Sequence, residues 1–180
     1  MPEPKDVLDF WFEELTAEQR FKRDDAVDQR IRQCFGALLD EFSRGVPPQW
    51  RSDAHSLLAA VIVLDQFSRN LFRDDARAFA QDAAAMALTD EAIGKGWDEQ
   101  LSSDERQFLY MPLMHSEELA DVERCIALMQ RAEHAEGEAF ARRHAVVIAR
   151  FGRYPARNET FGRETTPDEA EFLRLQPMGF

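Results

Sequence analysis

Eight consecutive apolar residues, Leu57 to Leu64 (LLAAVIVL), constrain the fold of this chain more than any other stretch. A helix built from them is apolar on every side, so it has to lie in the middle of the molecule with other elements around it. The run is far too short for a membrane span, which needs roughly 20 residues. No segment of four to eight residues alternates polar and apolar side chains between turn residues, so strands are not expected. The chain reads as all-α. Its short connectors imply a compact array of antiparallel helical hairpins, with about eight or nine helices in one domain of 180 residues.

Boundary signals divide the chain. Val7, Leu8, Trp11, Phe12 and Leu15 mark a short first helix. Ile31, Phe35, Leu38, Leu39 and Phe42 define a helix from about Asp24 to Arg44, ended by Gly45 and the Pro47-Pro48 pair. Asp53 is the expected N-cap of the central helix. A further helix covers roughly Arg77 to Ile93, where Ala83-Ala84-Ala85 would allow a close neighbour. Ser102 or Ser103 caps the next, and Pro112 should kink or split it. Helices near Glu118 to Arg131 and Glu138 to Phe151 follow, the second closed by Gly152. Thr166-Pro167-Asp168-Glu169 is a capping signal for a last helix.

A net charge of −12 repels phosphate backbones, and no basic run overrides it, so a nucleic-acid partner is not expected. Cys34 and Cys125 stand 91 positions apart without a CxxC pair or a histidine at ligand spacing, and two buried reduced thiols are expected, with no disulfide and no metal site. The first residues, MPEPKDVLDFWFEE, lack the apolar run of a signal peptide, and a cytoplasmic protein is the expectation. Nucleotide-loop, zinc-protease, calcium-loop and hydrolase-elbow motifs are all missing, and no cofactor is indicated.

Arginine is where the chemistry concentrates. RFGRYPARNETFGR, Arg150 to Arg163, holds four arginines and no lysine. Phe-x-Arg recurs along the chain, with Arg23, Arg44, Arg69, Arg142, Arg153 and Arg163 among its endings. On a helix, residues two apart face nearly opposite ways, so phenylalanine should turn inward and arginine outward. The last two cases contain Gly152 and Gly162, and there turns aim the side chains. Asp65, Arg69 and Arg73 stand at successive i+4 steps, one charged stripe beyond the apolar run, while Leu64, Phe67 and Leu71 take the buried side. Such a stripe must reach a rim or be paired. Asp65 could pair with an arginine of the 150–163 loop, making the cluster a structural clasp. Otherwise the guanidinium groups line a cleft and hold a carboxylate or phosphate. His115, beside Ser116 and Glu117, is a candidate proton carrier with Glu117 or Glu118. His144 reads as a core histidine, and His55 and His134 as surface residues.

With DFWF, LDQFSRNLFRD, AFAQD, RQFLYMPLMHSEEL and HAVVIARFGRYPARNETFGRETTPDEAEFL in view, the chain resembles the bacterial domain-of-unknown-function family 924 over nearly its whole length. The resemblance implies a tetratricopeptide-type array of helical hairpins with a concave face. Asp65, Gln66, Arg69, Asn70 and Arg73 match the family's central motif; His115, Ser116 and Glu117 match its HSE motif; His144, Phe151, Gly152, Arg153, Pro155, Arg157, Asn158, Gly162 and Arg163 match the last. Ala156 and Ser68 depart from it, where histidine and proline are usual.

Three functional expectations follow. The leading one is a noncatalytic helical binding module whose groove takes a small anionic ligand or a peptide carboxylate, with Asp65, Arg69, Asn70, Arg73, His115, Arg153, Arg157, Asn158 and Arg163 as ligand-binding residues. The alternative is an enzyme on a small anionic substrate, with arginine clamps and His115 or Glu117 moving the proton. The third is a structural or self-associating protein, a homo-oligomer, favoured by exposed Trp11, Phe12 or Trp97. Neither nucleic acid nor membrane is an expected partner.

Overall fold

In the computed structural model, which describes residues 2–176, every residue from Leu57 to Leu64 is at most 1% exposed. The described residues form helices and turns and no strand, as the spacing predicts. They divide into two compact units, residues 1–112 and 113–180.

In the first unit, α1 (Pro4–Leu8) starts at a capping box between Glu3 and Asp6 and passes into a π-helical turn, Asp9–Glu14. α2 (Ala17–Phe21) follows, capped by Thr16 and Gln19. α3 (Asp25–Phe42) is capped by Asp24, whose carboxylate accepts the amides of Ala26 and Val27. Its inner stripe is Val27, Ile31, Phe35, Leu38, Leu39 and Phe42. α4 (Ala54–Ile62) begins at Asp53, which accepts the Ser56 amide at 2.9 Å, and runs through a second π-helical turn, Val63–Phe67, into α5 (Ser68–Leu71). α1 and α6 (Asp82–Gly94) pack on α4 and close the core around it.

The two π-helical turns meet through their rings. Phe10 and Trp11 lie 6.1 and 5.8 Å from Phe67, whose ring is also tilted against Phe35 at 5.1 Å. A π turn takes one residue more than an α turn before the ladder closes. Here the wider turn coincides with adjacent aromatic residues, Phe10 and Trp11, that are both buried. Trp11 is therefore core and not the exposed aromatic surface that would favour self-association.

Several local expectations change. The helix expected from Arg77 begins only at Asp82, because Asp75 caps a separate 3-10 turn, Ala76–Phe79. Of the three alanines only Ala85 is buried. α7 (Ser103–His115) starts at a Ser102/Glu105 box and is not split at Pro112. Pro112 lacks the amide that would reach Phe108, and the Thr89 hydroxyl donates to the next carbonyl, Leu109, at 2.8 Å. Phe42 and Phe67 turn inward ahead of their arginines as expected, whereas Phe21 is 49% exposed and stacks on Phe108. Phe21 is the last residue of α2, so no following turn covers it.

In the second unit, α8 (Leu119–Arg131) and α9 (Ala135–Phe151) form a hairpin, and α10 (Pro167–Leu175) follows. His134 caps α9 by accepting the Gly137 amide at its Nδ1, 2.9 Å away. A Cβ on Gly137 would come within 2.8 Å of both His134 Nδ1 and Met129 Sδ, so any larger residue there would have to displace the capping imidazole and the Met129 side chain. Val122, Val147, Ile148 and Tyr154 form the buried core, with Leu119, Ala145, Phe151 and Phe172 packed on it.

The cysteines separate into two kinds. Cys125 is buried, and burial pushes its thiol up to about 12. Cys34 is exposed, correcting the expectation of two buried thiols, because it precedes Phe35 and lies off the inner stripe of α3. An aromatic disulfide reagent at pH 8 should therefore consume one thiol rapidly in the native protein. The second should react only on unfolding, and two fast equivalents would contradict the buried position of Cys125.

Candidate functional site

The arginines of the central motif hold internal acids. Arg69 reaches Asp82 with two parallel bonds of 2.9 and 3.1 Å, and Asp65, one turn earlier, at 3.0 Å. Asp65 is 1% exposed and also accepts from Gln66 at 2.6 Å. Such a carboxylate is tolerable in a core only with donors of this kind. The helix ends at Leu71, so Arg73 leaves the expected stripe. It makes two bonds to Asp28 of α3, with Nε and at 2.8 Å with Nη2, and Asn70 donates to the same carboxylate at 2.7 Å.

The last motif builds a second set of ties. Gly152 stands at φ +66, the left-handed conformation that ends α9, and turns the chain so that Arg153 points back at α10. There Glu169 accepts two bonds from Arg153, at 2.7 and 2.9 Å, one from Asn158 at 3.2 Å and one from the Thr166 amide at 2.8 Å. Arg153, first among these donors, holds the Glu169 carboxyl down at about 2. Gly162, at φ +62, lets the loop turn again before Arg163. Arg163 forks onto Glu117 at 2.8 and 3.0 Å, and the Tyr154 amide donates to Glu117 at 2.9 Å. Burial raises the Glu117 carboxyl, but these donors outweigh it and the group stays below its usual range. Arg157 donates to the His115 carbonyl at 2.9 Å and lies over the Tyr154 ring.

Glu117 is ionised and engaged with Arg163, so it has no proton to give at neutral pH. His144 is lowered to about 4, chiefly by burial, and bonds the Phe140 carbonyl through Nδ1 at 2.8 Å. It is a neutral, satisfied histidine. Among the described residues no group of His, Cys, Asp or Glu is placed to hold a metal ion. No described helix is long and apolar enough to cross a membrane.

Open relief of about 360 Å³ borders the Arg153–Glu169 tie, lined also by Arg150, Thr166 and Asp168, and further open relief runs along α8, α9 and α10. Leu119, Glu123 and Ile126 of α8 and Arg142, Ala145, Val146 and Ala149 of α9 line an apolar groove of about 550 Å³. Val146 also borders a cleft of about 250 Å³ between α9 and α10, with Phe151, Phe172 and Leu175. Val146 is 68% exposed and Leu175 65%, large values for branched apolar side chains. Sequence reasoning missed this surface. The run Ala145-Val146-Val147-Ile148-Ala149 carried the signal: five apolar residues in a row cover more of a helix than the stripe of Val147, Ile148 and Phe151 requires.

The comparisons with known proteins place the chain among proteins without an assigned role. The family model described as bacterial protein of unknown function (DUF924) matches residues 7–176. A solved structure of a protein of unknown function from Agrobacterium tumefaciens is similar at 36% identity, covering 94% of this chain and 96% of its own, with a TM-score of 0.90. No functionally curated protein matches.

Proposed function

We propose that this chain, which belongs to the bacterial family of proteins of unknown function DUF924, is a noncatalytic helical binding module that receives a macromolecular partner on the apolar relief of α8, α9 and α10. The observation that carries this reading is the 68% exposure of Val146 on the ridge between two apolar grooves. Covering one such side chain is worth about 1.5–3 kcal/mol, and neighbouring apolar residues add to it. Isolated exposed valines are ordinary; Val146 differs in that apolar clefts flank it on both sides.

In this reading the arginines serve the scaffold. An anionic guest at Arg69, Arg73, Arg153 or Arg163 would have to displace Asp82, Asp28, Glu169 or Glu117, each already bonded and held at intramolecular concentration. A helical hairpin is also the unit that tetratricopeptide-type arrays stack, and the outer side of such a hairpin is where the next helix would lie.

The test uses an amphipathic helical peptide with leucines at i, i+3, i+4 and i+7, titrated into isotopically labelled protein. Amide shifts should be confined to residues 119–126, 142–151 and 171–176, and Val146→Asp should remove them. Shifts centred on Arg153 to Arg163, or none with the peptide near millimolar concentration, would overturn the proposal.

A further inference from the structure

We infer that the partner received on this surface is a second copy of the same chain, docked about a twofold axis so that the α8/α9 hairpins of the two copies form a four-helix bundle. The inference rests on the binding-module reading and names its occupant.

A twofold interface requires a surface that complements itself, since each patch meets its own image. The relief around α9 has that property in shape. Val146 is at once a ridge and the border of two valleys, so under a twofold rotation each copy's ridge enters the other's α8/α9 groove. Ala145 and Ala149 line the same groove beside it, and their small side chains let the facing α9 helices approach closely.

Charge makes the same selection. The chain carries −12, so two copies repel one another over most of their surface. The charged residues lining the two grooves are Glu123, Arg142, Arg150 and Glu171, two of each sign. The surface is therefore neutral in formal charge on a strongly acidic protein. A basic partner would gain little from it, and an acidic copy meets little repulsion there. Glu123 and Arg142 lie on opposite helices of one groove, and Glu123 has no ion pair among the described residues. The twofold sets Glu123 of each copy toward Arg142 of the other, where Arg142 keeps its intrachain partner Glu138 at 2.7 Å.

The experiment is sedimentation equilibrium of the full chain from about 1 μM to about 1 mM. The expected result is a reversible dimer of twice 20.8 kDa that tightens with added salt, because screening removes the general repulsion. Val146→Asp should weaken it at least about 100-fold while helicity and melting temperature hold, since Val146 faces outward. Glu123→Arg and Arg142→Glu should each weaken it about tenfold, and the two together in one chain should bring it back to within about threefold. Mixing the two single variants should give a heterodimer at near wild-type strength, which no repair within one chain can produce, so the mixture identifies the cross-copy pair. A monomer across the whole range overturns the second copy as occupant, and so does a dimer indifferent to Val146→Asp. Peptide shifts on residues 119–126 and 142–151 in that same monomer would leave the binding-module reading standing, and their absence would remove it as well.

Discussion

Replacing Glu169 with alanine should destabilise the protein by about 3–5 kcal/mol, far more than a cap residue alone would cost. The side chain is 2% exposed and does two jobs at once. As the third residue of α10 it closes a capping box with Thr166, and from the same position it takes the Arg153 fork and the Asn158 amide. Alanine removes the acceptor and leaves the Arg153 guanidinium to the Glu164 carbonyl and the buried Asn158 amide to the Thr165 hydroxyl, 3.4 Å away, so a partly buried charge loses its counter-ion. The acid dependence of stability is a second readout of the same contact. The folded carboxyl is held at about 2, below its unfolded value, so its contribution is present above the ordinary carboxylate range and is lost as pH falls toward 2. That contribution is on the order of 3 kcal/mol. Urea unfolding followed by far-UV circular dichroism at pH 7 and pH 3 tests both. Glu169→Ala should lower the midpoint strongly at pH 7 and flatten the acid slope, and a change below about 1 kcal/mol would mean that solvent screens the pair.

The difference between what could be read in the sequence and what could not follows the range of the forces involved. Caps were legible because their partners are neighbours: Asp53, Ser102 and Thr166 each meet an amide three positions on. The central run was legible because a helix without a polar side has one possible location. Arg69 and Arg73 were legible as charges that need partners, but the identity of the partners, Asp82 and Asp28, was not. Glu169 read only as a cap, and Glu117 as a proton carrier, because the fork from Arg163 spans 46 positions and depends on two left-handed glycine turns in between. The π-helical turns left no mark in the pattern. Adjacent buried aromatics such as Phe10 and Trp11 are compatible with an ordinary helix end until the ring they must both reach is known. Val146 was hidden for the opposite reason, since an exposed valine beside Val147 and Ile148 looks like more of the same core.

The second large effect concerns that shared ring. Phe67→Ala should cost about 3–5 kcal/mol, since the side chain is fully buried and touches three other aromatic residues. The loss should exceed simple transfer of a benzyl group. Phe10 and Trp11 are set in one π-helical turn and Phe67 closes the other, so the vacated volume lies between two backbones that depart from the α ladder and are not free to collapse onto it. Phe67→Leu separates volume from ring geometry. Leucine refills most of the space but offers no edge to Trp11 and no face to Phe35, and its cost should fall to about 1.5 kcal/mol, with a weakened near-UV dichroism signal from the tryptophan. Equal losses for alanine and leucine would show that ring contacts, and not filled volume, hold the two turns together. If alanine costs under about 2 kcal/mol, the aromatic junction is not the centre of the first unit, and the apolar run of α4 must be stable without it.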